Sequence, residues 1–308
     1  MKKGLVFLLA CVSIFSFCLS ACGEQAPAIQ VEENAIVASE VDSPTRYEFR
    51  ERIPQNVLER HADLRNITPS GMVERVNPIL EPFGYRLEPN PIASYFEFFV
   101  YQGEEKLPET LTYFWMPSVR TDGKDFVLPV ELPNGVLGIL QKDGLKPWEA
   151  REPSARLPLY AGNDLVYVAE YLERVVVTSG TEELLSVSII PGPAPAIKTF
   201  LPWKNGWVLE VNGEVYYNEK KQNEIWKYPE MFDWSIINGK PFFFFQDAEG
   251  KIGLNYNGKD LGVRYESVPH YQCCEPSMFN PSYNGKIVWF YALKDNTWYY
   301  VEAGGFTK

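Results

Sequence analysis

The stretch WSIINGKPFFFFQDAEGKIGLNYNGKDLG, residues 234 to 262, decides the fold, because it reads as consecutive strands joined by turn residues. Residues 235–237 lead into Asn238-Gly239, residues 241–246 into Asp247-Ala248-Glu249-Gly250, and residues 251–256 into Asn257-Gly258. Asn-Gly supplies the two positive-φ residues of a type I′ hairpin, whose twist matches that of the strands it joins. This stretch is therefore an up-and-down antiparallel sheet. The run Phe242-Phe243-Phe244-Phe245 does not alternate with polar residues. That strand is expected to be covered on both faces, as in one sheet packed between two others, with a sandwich-core strand as the alternative.

Outward from this stretch, the same punctuation recurs. The chain holds six Asn-Gly pairs, at Asn134, Asn205, Asn212, Asn238, Asn257 and Asn284, where 17 Asn and 22 Gly placed at random would give about one. A turn followed by a strongly apolar strand occurs at Asp122-Gly123, Gly162-Asn163, Asn205-Gly206, Asn238-Gly239 and Asn284-Gly285, with spacings, counted from the Asp or Asn of each, of 41, 42, 33 and 46 residues. A period near 40 is the length of one four-stranded propeller blade. Further strands are expected over 95–101, 111–116, 126–130, 165–169, 175–178 and 185–189, the last with Ser186 and Ser188 facing out, and residues 191–195 read as a rigid connector. The spacing predicts an all-β fold, a β-propeller of five or six blades over residues 91–308. A pair of β-sandwich or meander domains is the alternative. The Gly-His and Trp-Asp signature of WD40 repeats is missing, and the Gly-Gly of kelch repeats does not recur from unit to unit.

Residues 46–90 form the segment with helical character. Residues 54–64 are a short candidate, and Thr68-Pro69 is an N-cap followed by proline at the first helical position. Met72, Val76, Ile79 and Leu80 share a face, and Pro78 is expected to break or kink the helix. His61 is expected on a solvated face.

At the start of the chain, Lys2-Lys3 precedes the apolar residues 4–17, and Leu19-Ser20-Ala21-Cys22 follows. That tetrad resembles the bacterial lipobox. The resemblance covers about the first 23 residues. It implies a signal peptide over 1–21, cleavage before Cys22, a diacylglyceryl group on that thiol, and a place in the bacterial cell envelope facing outside the cytoplasm. A retained transmembrane helix is the competing reading. Residues 23–45 hold five acids and no Lys or Arg, so 22–45 is expected to be an acidic disordered tether. Removing residues 1–21 takes away two of the 29 basic residues and none of the 40 acidic ones, leaving a net charge of −13. That charge disfavours nucleic acid and anionic lipid headgroups as partners.

Of five cysteines, only Cys273 and Cys274 remain once Cys11, Cys18 and Cys22 are accounted for. In an oxidising compartment this pair is expected to form a vicinal disulfide or to stay as buried thiols. The sharper alternative takes His270, Cys273, Cys274 and Glu275 as zinc or copper ligands, or the loop as a thiol-redox centre. Hydrolase elbows, P-loops and dinucleotide fingerprints are missing. Paired carboxylates for glycoside hydrolysis or lysis remain open, with Asp247, Glu249 and Asp295 read first as hairpin-loop residues. The 19 aromatics between residues 226 and 300 are expected to be mostly core, with a few at a rim to stack on a sugar or peptide. The function expected is a lipid-anchored, non-catalytic protein without cofactor whose propeller-like domain binds an extracytoplasmic ligand, glycan or protein.

Overall fold

The computed structural model describes residues 29–38, 52–66, 68–93, 96–133, 135–148, 156–192, 195–271 and 280–306. Six antiparallel sheets follow one another along the chain. Sheet 1 holds Tyr85–Pro89, Phe98–Gln102 and Glu105–Leu111. Sheet 2 holds Tyr113–Phe114, Phe126–Glu131, Leu137–Gln141 and Gly144–Pro147, with Ser118–Val119 also paired to its second strand. Sheet 3 runs through Leu159–Ala161, Asp164–Glu170, Arg174–Ser179 and Glu182–Ser188. Sheet 4 runs through Ile197–Trp203, Gly206–Val211, Glu214–Tyr217 and Lys220–Lys221. Sheet 5 is Glu230–Ile237, Lys240–Gln246, Ile252–Tyr256 and Lys259–Tyr265. Sheet 6 is Ser282–Tyr283, Ile287–Lys294 and Thr297–Gly304, completed by Gln30–Ala38 from the other end of the chain.

That last strand corrects an expectation, since the acidic composition of 22–45 predicts a disordered tether there. Gln30 to Ala38 pairs in register with Gly304 to Thr297, and Val31 packs onto the core shared by sheets 5 and 6. Glu32 and Glu33, the acids that give the segment its solvated look, find Arg60 and Lys294. Pairing across the sheet overrides a weak local pattern.

Sheets 2 to 5 bury both faces by sharing a core with the sheet on either side, whereas sheet 1 buries one face only. Phe242 and Phe244 point into sheet 6, where they meet Val288 and Phe290, whereas Phe243 and Phe245 point into sheet 4, against Val208 and Val215. All four rings are buried, as the unbroken phenylalanine run predicts. Sheets 3 and 4 share Val166, Val168, Trp207 and Leu209, and sheets 2 and 3 share Val127, Ile139 and Tyr160.

The helical segment lies between sheets 6 and 1. Gln55–Arg60 and Ala62–Arg65 lie against sheet 6, where Ile53 and Val57 meet Tyr300. Pro69–Leu80, capped by Thr68 Oγ1 accepting from Gly71 N at 3.0 Å, packs Met72, Val73, Val76 and Leu80 on Tyr85, Leu87 and Phe98. It continues two residues past Pro78 before tightening into the 3-10 turn Glu81–Phe83. The strand Tyr85–Pro89 lies inside residues 46–90, the span expected to be a small helical extension. Gln222–Trp226 is a short helix on sheet 4 that the sequence pattern does not suggest.

The periodic turns touch one another. Thr121 N donates to Gly162 O at 2.7 Å, Asp122 N to Asn163 Oδ1 at 3.2 Å, and Asn238 N to Gly285 O at 2.8 Å. Asn238-Gly239 and Asn257-Gly258 have both residues at positive φ, as a type I′ turn requires. Asn205-Gly206 differs: Trp203 pairs with Gly206, so the turn residues are Lys204 and Asn205. Glycine is needed at 206 for a different reason, because a β-carbon there would lie 2.1 Å from Asn218 Oδ1.

Candidate functional site

The strand Gly206–Val211 is buried throughout, yet its fifth residue is Glu210, with none of its surface exposed. Its carboxylate accepts from Asp233 N and Trp234 N, each at 2.9 Å, and from the Tyr271 hydroxyl. Burial pushes the Glu210 carboxyl above its ordinary range, opposed by the donors from Tyr271 and the two amides. In the preceding sheet Glu170 acts alike, accepting from Ala196 N at 3.0 Å and Ile197 N at 3.3 Å. Both acids fasten the second strand of their own sheet to the first strand of the next.

The Glu210 charge acts on side chains from the first strands of three sheets, Lys198 of sheet 4, Asp233 of sheet 5 and Tyr283 of sheet 6, and Tyr113 of sheet 2 acts in turn on Tyr283. Asp233 has φ 52° and sits in a bulge that interrupts the register between Phe232 and Ser235. As a residue it is only partly covered, but its Oδ2 is fully covered and has no hydrogen-bond partner among the described residues. Burial, then the Glu210 charge, push its carboxyl up to about 8. Tyr283 has 42 % of its surface exposed. Its phenol is nevertheless held far above its ordinary value, by burial first and then by Asp233, Glu210 and Tyr113. Tyr113 is 44 % exposed and meets Trp115 edge-on with centroids 5.0 Å apart. Lys198 lies 5.0 Å above the Tyr271 ring. Its amine is lowered by burial, an effect Glu210 and Glu170 oppose.

Of the residues singled out from sequence, Cys22, Cys273, Cys274 and Glu275 lie outside the described residues. His270 stacks on Phe232 at 3.6 Å, and both ring nitrogens have partners, Nδ1 at 2.6 Å from Val268 O and Nε2 at 3.2 Å from Glu230 Oε1. Neither nitrogen is left for a metal. Asp247 receives Glu249 N and Lys251 N and pairs with Arg264, as a loop residue does. His61 does not face solvent: it stacks on Phe306 at 4.0 Å, with Nε2 3.4 Å from Glu32 Oε2 and 3.9 Å from Glu302 Oε2. One ligand atom from each of Glu32, His61 and Glu302 lies within 4.8 Å of the others. Arg60 and Arg65 already neutralise the two carboxylates, so this cluster is a clasp between the closing strand, sheet 6 and the helical segment. A second concavity of about 290 Å³, between sheets 3 and 4, has Trp207 and Asn205 in its wall and three exposed acids, Asp164, Glu182 and Glu219.

No family model matches the chain, and no curated protein does. Among solved structures, the chain is similar at 9% identity to BBS1N in a complex with ARL6DN, covering 71% of this chain and 75% of that one with a TM-score of 0.30. It is similar at 9% identity to a eukaryotic initiation factor, with 68% of each chain covered and a TM-score of 0.28. For the N-terminal domain of Nup159 the identity is 10%, the coverage 72% and 74%, and the TM-score 0.25. Likenesses this distant carry no weight for function. No helix among the described residues is long and apolar enough to cross a membrane.

Sequence reasoning passes over Glu210 and Asp233, although a signal exists. Glu210 is the one acid in the otherwise apolar strand GWVLEV, and Asp233 interrupts MFDWSII in the same way. A buried charge in such a strand is held by specific partners or serves a site.

Proposed function

We propose that the six sheets close into a six-bladed β-propeller, and that this domain belongs to an envelope lipoprotein anchored through Cys22 that holds a ligand in its axial recess without transforming it. Three features support the ring. Neighbouring sheets share cores in chain order, the turns of sheets 2 and 3 and of sheets 5 and 6 touch, and strands from near the chain's two ends meet in sheet 6. The Pro69–Leu80 helix stands where sheet 1 lacks its innermost strand, which makes that blade a helix-completed one. With Gln30 already in a strand, the path from Cys22 is eight residues. The domain then lies within roughly 26–29 Å of the lipid surface rather than at the end of a long tether.

The observation that carries the binding reading is that Tyr113 and Tyr283, on the first strands of two different sheets, expose their rings while Asp233 and Glu210 lie close enough for their charges to act on the Tyr283 phenol. Open aromatic walls with a few polar groups at their base are the usual make-up of small-molecule sites. A glycoside hydrolase would need two carboxyl groups facing one substrate. Here the carboxylate whose charge acts on Asp233 is Glu210, fully buried and committed to three donors. That favours binding over catalysis.

Isothermal titration of the purified domain with neutral sugars, short carboxylates and alkylamines tests this reading. At least one class should bind, with affinity reduced tenfold or more in Tyr283→Ala. Absence of binding by all three, or binding indifferent to both Tyr283→Ala and Tyr113→Ala, overturns it. Cys22→Ser should release the protein from membranes, and unchanged membrane association after normal processing overturns the anchor.

A further inference from the structure

The short helix Gln222–Trp226 ends on Lys227, which lies in the left-handed region at φ 59°, where glycine is the usual occupant. Lys227 N donates back to Asn223 O, and Tyr228 N donates to the same carbonyl at 3.1 Å. The residues on either side of this turn, Trp226 and Tyr228, have rings parallel to within 5° and centroids 6.5 Å apart. Sheet 5 braces both. Tyr228 stacks on Phe245 at 4.0 Å, and Trp226 meets Phe243 edge-on at 6.1 Å. Trp226 Cη2 also lies 3.3 Å from the place a β-carbon on Gly258 would take, in the turn between the third and fourth strands. So braced, Trp226 still keeps 37% of its surface exposed, with Ile225 beside it at 59%.

We propose that Trp226 and Tyr228 form a saccharide-binding surface, on which a neutral pyranose lays its C–H face. The surface belongs to the later strands of sheets 4 and 5, not to the first strands that carry Tyr113 and Tyr283. It is therefore a second site, independent of the axial reading.

Two observations choose this occupant. Electron-rich ring faces attract polarised C–H groups, and rings held parallel in advance lose little freedom when a sugar stacks on them. The charges around the pair are of both signs. Arg264 lies 5.0 Å from the Phe245 ring and binds Asp260 at 2.6 Å and Asp247 at 2.8 Å, while Glu224 and Lys227 flank Trp226 in exposed positions. That balance favours a neutral, hydroxyl-rich ligand over an ion, because hydroxyl groups use donors and acceptors alike. A protein partner takes about 800 Å² on each side, far more than Ile225, Trp226 and Tyr228 supply.

The test is isothermal titration of the wild-type protein with cellohexaose, chitohexaose and xylohexaose. At least one should bind, Trp226→Ala should weaken it tenfold or more, and Trp226→Phe, which keeps a flat ring, should recover most of the loss. Should Trp226→Ala fail to fold, the wild type decides. Bound sugar should protect Trp226 from oxidation by N-bromosuccinimide, read by peptide mass spectrometry, while Trp115, 39% exposed, stays reactive. Sugar binding that leaves Trp226 reactive, or that is lost in Tyr283→Ala and unchanged in Trp226→Ala, overturns this proposal and leaves the axial reading standing. Absence of binding by all three sugars overturns it as well.

Discussion

Asn77 and Leu87 meet as two strands would: Asn77 Nδ2 donates to the Leu87 carbonyl at 2.9 Å, and Leu87 N donates to Asn77 Oδ1 at 2.8 Å. Leu87 is the central residue of Tyr85–Pro89, the edge of the three-stranded sheet 1. One side-chain amide on a helix thus satisfies the backbone groups that an inner strand would otherwise pair. Asn77→Ala removes both partners at a half-buried edge, and each orphaned group costs about 1–3 kcal/mol. Urea unfolding should show a loss of about 2–4 kcal/mol, well above that of Glu74→Ala on the exposed side of the same helix.

Arg65 should be as sensitive. Glu302 is 1% exposed and lies directly opposite Glu32 in the sheet register, a like-charge pair that Arg65 and Arg60 hold together. Arg65→Met leaves a buried carboxylate with Tyr300 as its remaining close donor, and removal of one partner from a buried pair costs about 3–5 kcal/mol. The double variant Arg65→Met/Glu302→Leu should recover most of that loss in the same unfolding experiment.

Asp233 gives the stability a pH dependence of defined sign. The folded-state carboxyl is held up to about 8, whereas the unfolded chain releases its proton near the ordinary carboxylate value. Between the two, the folded protein binds the extra proton, so stability falls as pH rises through that window. Below it the penalty vanishes, and above it the penalty is complete. Glu210 is raised as well, and the two titrate as a pair. Thermal melts from pH 4 to 9 should therefore decline more steeply for wild type than for Asp233→Asn, with the curves meeting at the acid end.

At Gly206 the limit is space rather than backbone angle. A β-carbon would displace the Asn218 amide, whose Oδ1 accepts from Trp207 N at 3.1 Å. Gly206→Ala should cost about 1–3 kcal/mol, the penalty of leaving that amide unpaired. Substituting Gly192, which has open space around it, should change stability by less than about 0.5 kcal/mol.

The strands were legible where turn chemistry and apolar runs agreed, as at Asn238-Gly239 and Phe242 to Phe245, because both signals are local. Gln30–Ala38 was not, since its stability comes from Thr297–Gly304, which no local window contains. Pairing of Asn77 with Leu87 was hidden for a related reason, a side chain standing in for a strand. The site was the least legible feature. Its residues come from several different sheets, and Asp233 acquires its character from burial and then from Glu210, 23 positions away in the sequence.

The strand that completes sheet 6 is made first and matched last. When the ribosome has finished Gln30–Ala38, its partner Thr297–Gly304 is still roughly 260 residues from synthesis, which at ordinary elongation rates is a wait of roughly 13–50 s. Through that interval the growing chain carries an unpaired β-edge, and a transcript truncated before residue 297 carries it permanently. Quality control during biogenesis therefore has a simple cue, the unpaired edge of Gln30–Ala38, and shortened products should be recognised and degraded even when the first five sheets are intact.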